Sequence, residues 1–168
     1  MARHPGAVVA VSSRMMHTAA ENEAGNWREH LIDSLDGIRR VIESTRRIAV
    51  LGIKIEEDRP AYFVPEYAQQ AGYEIIPVPV YYPDATEILG QKVYRKISDI
   101  PGEIDLVDVF RRSEAIPPHL DDIIAKKPKA VWFQLGIRNN AAAERLAGEG
   151  IDVIQDRCLL VELRRLGK

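Results

Sequence analysis

Five short apolar runs, each followed by a polar loop and a helical pattern, constrain the fold of this chain more than any other feature. The run Ile48–Leu51 shows no alternation of polar and apolar residues, which is typical of a parallel strand covered on both faces. The other four runs lie at residues 73–79, 104–110, 130–135 and 151–154. Strands and helices that alternate at such short spacings predict an α/β fold: a doubly wound, mainly parallel sheet of about five core strands with flanking helices.

Helical patterns occupy the segments between and around these runs. They lie at residues 59–71, 117–127, 141–147 and 158–166, and a further pattern at residues 27–45 precedes the first strand. In this first pattern, apolar residues recur at spacings of three and four, namely Trp27, Leu31, Leu35, Ile38 and Ile42. The spacing predicts one amphipathic lead-in helix, with Asn26 as its N-cap, packed on the sheet.

The first 25 residues show neither a helical nor a strand period. Acidic residues are absent before Glu21, and Met15 and Met16 offer alternative start positions. We expect residues 1–25 to be a flexible or mis-started N-terminal tail, with a targeting peptide as the alternative. Residues 26–168 are expected to form a single domain, since about 100–200 residues make up a typical domain.

Composition excludes several classes of function. A net charge of −2 gives no general attraction to nucleic acid or to an anionic membrane. No apolar run approaches the roughly 20 residues that are needed to cross a bilayer. The single cysteine, Cys158, excludes an internal disulfide and a cysteine-based zinc cluster. We therefore predict a cytoplasmic protein that binds neither nucleic acid nor membrane.

The stretch after the first strand has the features of an anion site. Gly52 ends the strand and tolerates a positive φ, and Pro60 suits the first turn of the helix that follows. Free N–H groups and the positive end of the helix dipole then face the loop, and Arg59 adds a fixed cation. The loop contains only one glycine and lacks a GxGxxG motif. An ordinary strand–helix connection is therefore an equal alternative to an anion site.

Several cations follow the predicted strands at the edge where ligands bind in such sheets. Basic side chains follow strands one, three, four and five, namely Lys54, Arg59, Arg111, Arg112, Arg138 and Arg157. A focused positive site in a slightly acidic chain suits a ligand with several phosphates.

Catalytic patterns are sparse. The four histidines are scattered, there is no GxSxG elbow, and no group of residues has metal-ligand spacing. Cys158, next to Arg157 at a predicted helix start, is the one candidate nucleophile, and a packed core thiol is the alternative. The aspartates of the third run, Asp105 and Asp108, are expected at a strand edge, with one inward-facing polar side chain as the alternative.

These motifs resemble the small, stand-alone CoA-binding proteins, whose fold is similar to the N-terminal CoA-binding domain of the succinyl-CoA synthetase α subunit. The matching blocks span most of the chain after Arg47 and are IAVLG, DRPAY, GYEIIPV, EILGQKVYRKISDIP, DLVDVFRRSEAIP, AVWFQLGIRN and DRCLLVE. The resemblance implies a Rossmann-like domain that binds coenzyme A (CoA) or an acyl-CoA and catalyses nothing on its own.

The resemblance also implies which residues form the site. Those implied to hold the pyrophosphate are Gly52, Ile53, Lys54, Arg59, Pro60, Ala61 and Tyr62. The adenosine end would lie against Val78, Pro79 and Val80. Residues implied to border the rest of the ligand are Phe110, Arg111, Arg112, Gln134, Leu135, Gly136 and Ile137.

Two departures from the family pattern stand out. Pro79-Val80-Tyr81 replaces a frequent Asn-Pro-Lys, and Ala61 replaces a frequent Ser at the helix start. Two alternatives therefore remain open: a regulatory module that binds another nucleotide such as NAD, and a subunit of an acyl-CoA ligase or transferase whose partner carries a catalytic histidine. The lead-in helix also offers a face through which two copies could form a homodimer.

Overall fold

The computed structural model describes residues 25–168, which fold around one five-stranded parallel sheet. Its strands are β1 (Arg47–Leu51), β2 (Glu74–Val78), β5 (Leu106–Val109), β6 (Ala130–Phe133) and β7 (Asp152–Ile154), and they lie side by side in the order β2-β1-β5-β6-β7. Every neighbouring pair is parallel. The predicted doubly wound α/β sheet is confirmed.

Five α-helices cover the two faces of the sheet. They are α1 (Leu35–Glu43), α2 (Pro60–Gln70), α3 (Leu120–Lys126), α4 (Asn140–Gly148) and α5 (Leu159–Arg165). Short 3₁₀ turns occur at Trp27–His30, Ile97–Asp99, Ser113–Ala115 and Pro117–His119. Side chains of α1, α2 and α5 pack on one face of the sheet, and side chains of α3 and α4 pack on the other. Burial on both faces explains why the strands read as unbroken apolar runs.

The segment between β2 and β5 contains a small hairpin. Its strands are β3 (Glu87–Ile88) and β4 (Gln91–Lys92), which pair antiparallel. Leu89 and Gly90 form the turn, both with positive φ, and Ile88 is buried. Each strand of the hairpin is only two residues long, which is too short to appear as an apolar run in the sequence.

The predicted lead-in helix is wrong in its first half. A 3₁₀ turn at Trp27–His30 is followed by extended chain, in which Leu31 bridges Val153 of β7 and the Ile32 N–H donates to the Val153 carbonyl at 2.9 Å. The exposed edge of β7 needs hydrogen-bond partners, and this segment supplies them. Helix α1 begins only after Ser34, whose side chain accepts a hydrogen bond from the Gly37 N–H.

The N-cap prediction for this segment is also wrong. The Asn26 side chain makes no capping hydrogen bond to the backbone and donates to Glu29 instead. His30 lies 2.7 Å from Asp152 through Nδ1, so it joins the segment to β7. The expectations for residues 1–24 lie outside the described residues. Within residues 25–168, no helix combines the length and the apolar character that a membrane crossing requires.

Candidate functional site

A crevice opens at the carboxyl ends of β1 and β5, where the order of the strands reverses. The chain leaves β1 towards β2 on one side and later returns to β5 on the other. Because the connections diverge at this point, the loops after β1 and β5 leave a gap between them, which is the usual ligand position in doubly wound sheets.

Gly52 sets the distance between these two loops. Its φ is +84°, and a Cβ at this position would lie 2.4 Å from the Phe110 carbonyl oxygen. The Gly52 N–H donates to the Val78 carbonyl, and the Phe110 N–H donates to the Leu51 carbonyl, both at 2.9 Å. The glycine therefore permits an approach of the two loops that no residue with a side chain would allow.

The crevice has a volume of about 480 Å³. The residues that line it are Lys54, Arg59, Pro60, Ala61, Phe110, Arg111, Arg112, Ser113, Glu114, Gly136 and Ile137. Nine of these eleven are among the site residues that the sequence analysis named. Ser113 and Glu114 were not named, although both follow the basic pair directly in the chain.

The amino end of α2 faces this crevice. Arg59 occupies the N-cap position without a side-chain capping bond, and Pro60 has no N–H to satisfy. The Ala61 carbonyl accepts a hydrogen bond from the Lys54 N–H at 3.2 Å, which holds the loop after β1 against the first turn of α2. The positive end of an 11-residue helix is therefore directed at the same space as the basic side chains.

The cations of the crevice have no acidic partners among residues 25–168. Lys54, Arg59, Arg111 and Arg112 form no ion pair in this part of the chain, although Glu114 lies on the same lining. The Arg111 Nε is buried and has no hydrogen-bond acceptor among these residues. A buried charged donor without an acceptor is costly, so this nitrogen is a group that an anionic ligand would satisfy.

An aromatic residue that the sequence analysis did not assign to the site lies beside two of these cations. The Tyr81 ring centroid is 5.8 Å from Lys54 Nζ and 5.9 Å from Arg111 Cζ. The Arg111 guanidinium, by hydrogen bonding and by its charge, lowers the pKa of the Tyr81 phenol. In the sequence, the feature that could have indicated this residue is the pair Tyr81-Tyr82 shortly after the second apolar run.

Some predicted site residues lie below or outside the crevice lining. Ile53, Val78 and Pro79 are buried in the domain, and Tyr62 is half-buried. Val80 and Leu135 are exposed, Leu135 at the tip of the turn that contains Gly136. These positions flank the crevice without forming its wall.

Gln134 is buried and hydrogen-bonded within the domain. Its Nε2 donates to both carboxylate oxygens of Asp108 at 3.0 and 3.1 Å, and its Oε1 accepts from the Leu159 N–H at the start of α5. Burial raises the pKa of Asp108 to about 8, against the effect of the Gln134 hydrogen bond. The edge position expected for Asp108 is wrong, because this side chain is fully buried inside the domain.

The residues considered for catalysis lie outside the crevice lining. Cys158 is the N-cap residue of α5, is half-buried and packs beside the core on the face covered by α1, α2 and α5. His119 is half-buried, and its burial, together with the Arg111 charge, lowers its pKa. Among residues 25–168, no group of three histidine, cysteine or acidic side chains is arranged to hold a metal ion.

This chain is similar to known proteins in both sequence and structure. The family model described as a CoA binding domain matches residues 46–164. The Bacillus subtilis (strain 168) protein named "Uncharacterized protein YneT" is 38% identical over 124 residues, which cover 74% of this chain and 90% of that protein.

Two solved structures are similar over most of the chain. A Thermus thermophilus structure, "cell-free ID.343", is 35% identical with a TM-score of 0.74, covering 80% of this chain and 99% of that chain. A hypothetical protein from Pyrococcus horikoshii OT3 is 30% identical with a TM-score of 0.75, covering 81% of this chain and 94% of that chain.

Proposed function

This chain belongs to the CoA binding domain family, and from that membership we propose that its crevice between β1 and β5 binds coenzyme A or an acyl-CoA. The observation that carries the proposal is the set of basic side chains at the strand-order reversal, which have no acidic partners among the described residues. CoA carries a pyrophosphate and a 3′-phosphate, so it supplies the anionic oxygens that these donors lack.

The pyrophosphate fits the amino end of α2. Lys54 and Arg59 line the crevice beside the helix start. The N–H groups of Tyr62 and Phe63 donate to the Arg59 carbonyl, which leaves the Ala61 N–H and the positive end of the helix dipole for an anion. Each charged hydrogen bond to a phosphate contributes on the order of 1.5–3 kcal/mol. The Ala61 methyl group adds no donor, so here the backbone and the two cations carry this part of the affinity.

Arg111 and Arg112 form the opposite wall of the crevice. Arg111 offers a buried Nε without an acceptor, and Arg112 is exposed at the start of the turn after β5. Arginine binds phosphate through two donors at once, which gives directional as well as charge recognition. We assign this pair to the phosphates of the ligand, and Gly136 and Ile137 to contacts with its uncharged portion.

The proposed activity is binding without independent catalysis. Ser113, the one hydroxyl residue of the lining, donates its hydroxyl hydrogen to the Arg138 carbonyl. The lining contains neither histidine nor cysteine among the described residues. A serine that is engaged in this way and lacks a neighbouring base is not activated as a nucleophile.

Calorimetric titration of the folded protein with CoA, 3′-dephospho-CoA and NAD tests this function. The proposal predicts that CoA binds with measurable heat, and that removal of the 3′-phosphate weakens binding. NAD has no 3′-phosphate and should bind more weakly than CoA. Equal or tighter binding of NAD would identify a different nucleotide as the ligand, and no heat with CoA would contradict the proposal.

A further inference from the structure

Tyr81 is an exposed aromatic residue at the rim of the crevice, on the β2 side. The relative exposure of this residue is 56%. Lys54 Nζ and Arg111 Cζ both lie over the ring, within 6 Å of its centroid. The ring therefore borders the charged crevice while most of its surface is open to solvent.

The loop that carries Tyr81 is held by several hydrogen bonds. Arg95 donates to three of its carbonyl oxygens, those of Tyr81 at 3.1 Å, Tyr82 at 2.6 Å and Ala85 at 3.0 Å. The Tyr82 hydroxyl donates to Glu56 Oε2 at 2.5 Å, which ties the loop to the one after β1. Tyr82 adopts a positive φ of 61°, an unfavourable conformation that these contacts maintain.

An exposed ring on a fixed loop is suited to stacking. The loop is already ordered, so a planar ligand that lies on the ring does not have to pay for ordering it. Nucleobases stack on tyrosine readily because each base has a π-face, and neighbouring cations attract the phosphates of the same nucleotide.

We infer that Tyr81 is the platform on which the adenine ring of CoA stacks, with Lys54 and Arg111 beside the phosphates of the same nucleotide. This inference rests on the proposed CoA function and assigns to it Tyr81, which is outside the set of site residues that the family resemblance implies. Recognition of the adenosine end then depends on an aromatic surface in addition to charge.

Substitutions at Tyr81 separate the ring from its hydroxyl group. Y81F and Y81W keep a π-face and should bind CoA with a Kd within about threefold of the unsubstituted chain. Y81A and Y81L remove the π-face and should weaken binding by about tenfold or more, as expected for loss of one base–aromatic stack. Equal losses for Y81F and Y81A would assign the effect to the hydroxyl group and would overturn the inference.

The salt dependence of binding distinguishes stacking from an indirect effect on the cations. If Tyr81 stacks on adenine, the slope of log Kd against log salt concentration is the same in Y81A and in the unsubstituted chain. A shallower slope in Y81A would mean that Tyr81 acts by holding Lys54 and Arg111 in place, and the inference would be wrong.

Trp27 provides a matched control. It also lies against a cation, with Arg28 Cζ 4.4 Å from its ring, but it lines a different cleft of the molecule. W27A should leave the Kd for CoA unchanged. An unchanged Kd in Y81A would overturn the stacking inference and leave the proposed function intact, whereas absence of CoA binding by the unsubstituted chain would contradict the proposed function itself.

Discussion

The two ends of the parallel sheet use charged residues in opposite ways. At the amino ends of the strands, charged side chains are bonded to other parts of the domain. At the carboxyl ends of β1 and β5, four basic side chains surround a crevice and form no ion pair within the described residues.

Asp105 and Arg47 show how the amino end is connected. The Asp105 carboxylate accepts hydrogen bonds from the Arg46 and Arg47 N–H groups, both at 2.9 Å, and lies 3.2 Å from Lys129 Nζ. Arg47 in turn binds Glu74 at 3.0 Å and donates to two backbone carbonyls. These charges join β1 and β2 to the segments that precede β5 and β6.

The difference separates charges that maintain the fold from charges available to a ligand. Removing a partner at the amino end leaves a backbone or side-chain group without its hydrogen bond, so the cost falls on stability. Removing a cation at the crevice relieves like-charge repulsion and breaks no ion pair among the described residues, so most of the cost falls on ligand binding.

G52A is expected to have the largest effect. A Cβ 2.4 Å from the Phe110 carbonyl oxygen forces the two loops apart, and the φ of +84° strains any residue with a side chain. We predict a loss of about 3 kcal/mol in the free energy of unfolding, measured by urea denaturation. The control is G72A, where φ is also positive, at +100°. An added Cβ at Gly72 has no atom within 4 Å apart from its chain neighbours, so the expected loss is about 1 kcal/mol. Equal losses would show that contact with Phe110 has no role.

D105A should destabilise the domain by about 2–3 kcal/mol at neutral pH and leave the Kd for CoA unchanged. Hydrogen bonds from Arg46, Arg47 and Lys129 lower the pKa of Asp105 against the opposing effect of burial. A carboxyl with a lowered folded-state pKa contributes stability above its unfolded pKa of about 3.9, and this contribution is lost as the pH falls through the folded value. The stability difference between the two proteins should therefore shrink in acid, and a constant difference would contradict this assignment.

R111A combined with R112A should weaken CoA binding by roughly tenfold to a hundredfold, as expected for the loss of charged hydrogen bonds. The free energy of unfolding should stay the same or rise slightly. Titration calorimetry and denaturation on the same sample measure both quantities. R39A with R40A, an adjacent arginine pair on α1, changes the net charge equally and should leave the Kd unchanged.

Y82F should have the smallest effect. The Tyr82 hydroxyl donates to Glu56 and thereby lowers the pKa of that carboxyl. Y82F removes this hydroxyl, while the three hydrogen bonds from Arg95 still hold the loop. We predict a change of about twofold or less in the Kd for CoA, since an exposed hydrogen bond contributes little. A loss as large as that of Y81A would show that the link to Glu56, and not the Arg95 contacts, positions the loop.

The sequence was sufficient for features that depend on local pattern. The apolar runs predict all five core strands, because a strand that is buried on both faces consists largely of consecutive apolar residues. Asn139, a residue type that favours the N-cap position, directly precedes α4, and its side chain accepts from the Ala142 N–H at 3.0 Å. The crevice followed from the same pattern, since the carboxyl ends of parallel strands meet at one edge.

Features that depend on distant contacts were not predictable. The first half of the lead-in segment resembles a helix by spacing, and only its pairing with Val153 makes it extended. Asp108 was placed at an edge because an aspartate rarely lies in a core, and Gln134, 26 residues away, provides its hydrogen bonds. Tyr81 faces the crevice because Arg95 holds its loop, a contact that no local pattern indicates.

Amide hydrogen exchange, measured by mass spectrometry with and without CoA, tests the central claim most directly. The account predicts that CoA slows exchange in the loops after β1, β2 and β5, at residues 52–63, 79–86 and 110–114. Exchange at the amino end of the sheet, around Asp105 and Lys129, should be unchanged. Protection around Trp27 in place of these loops, or no protection under conditions where CoA binds, would contradict the assignment of the site.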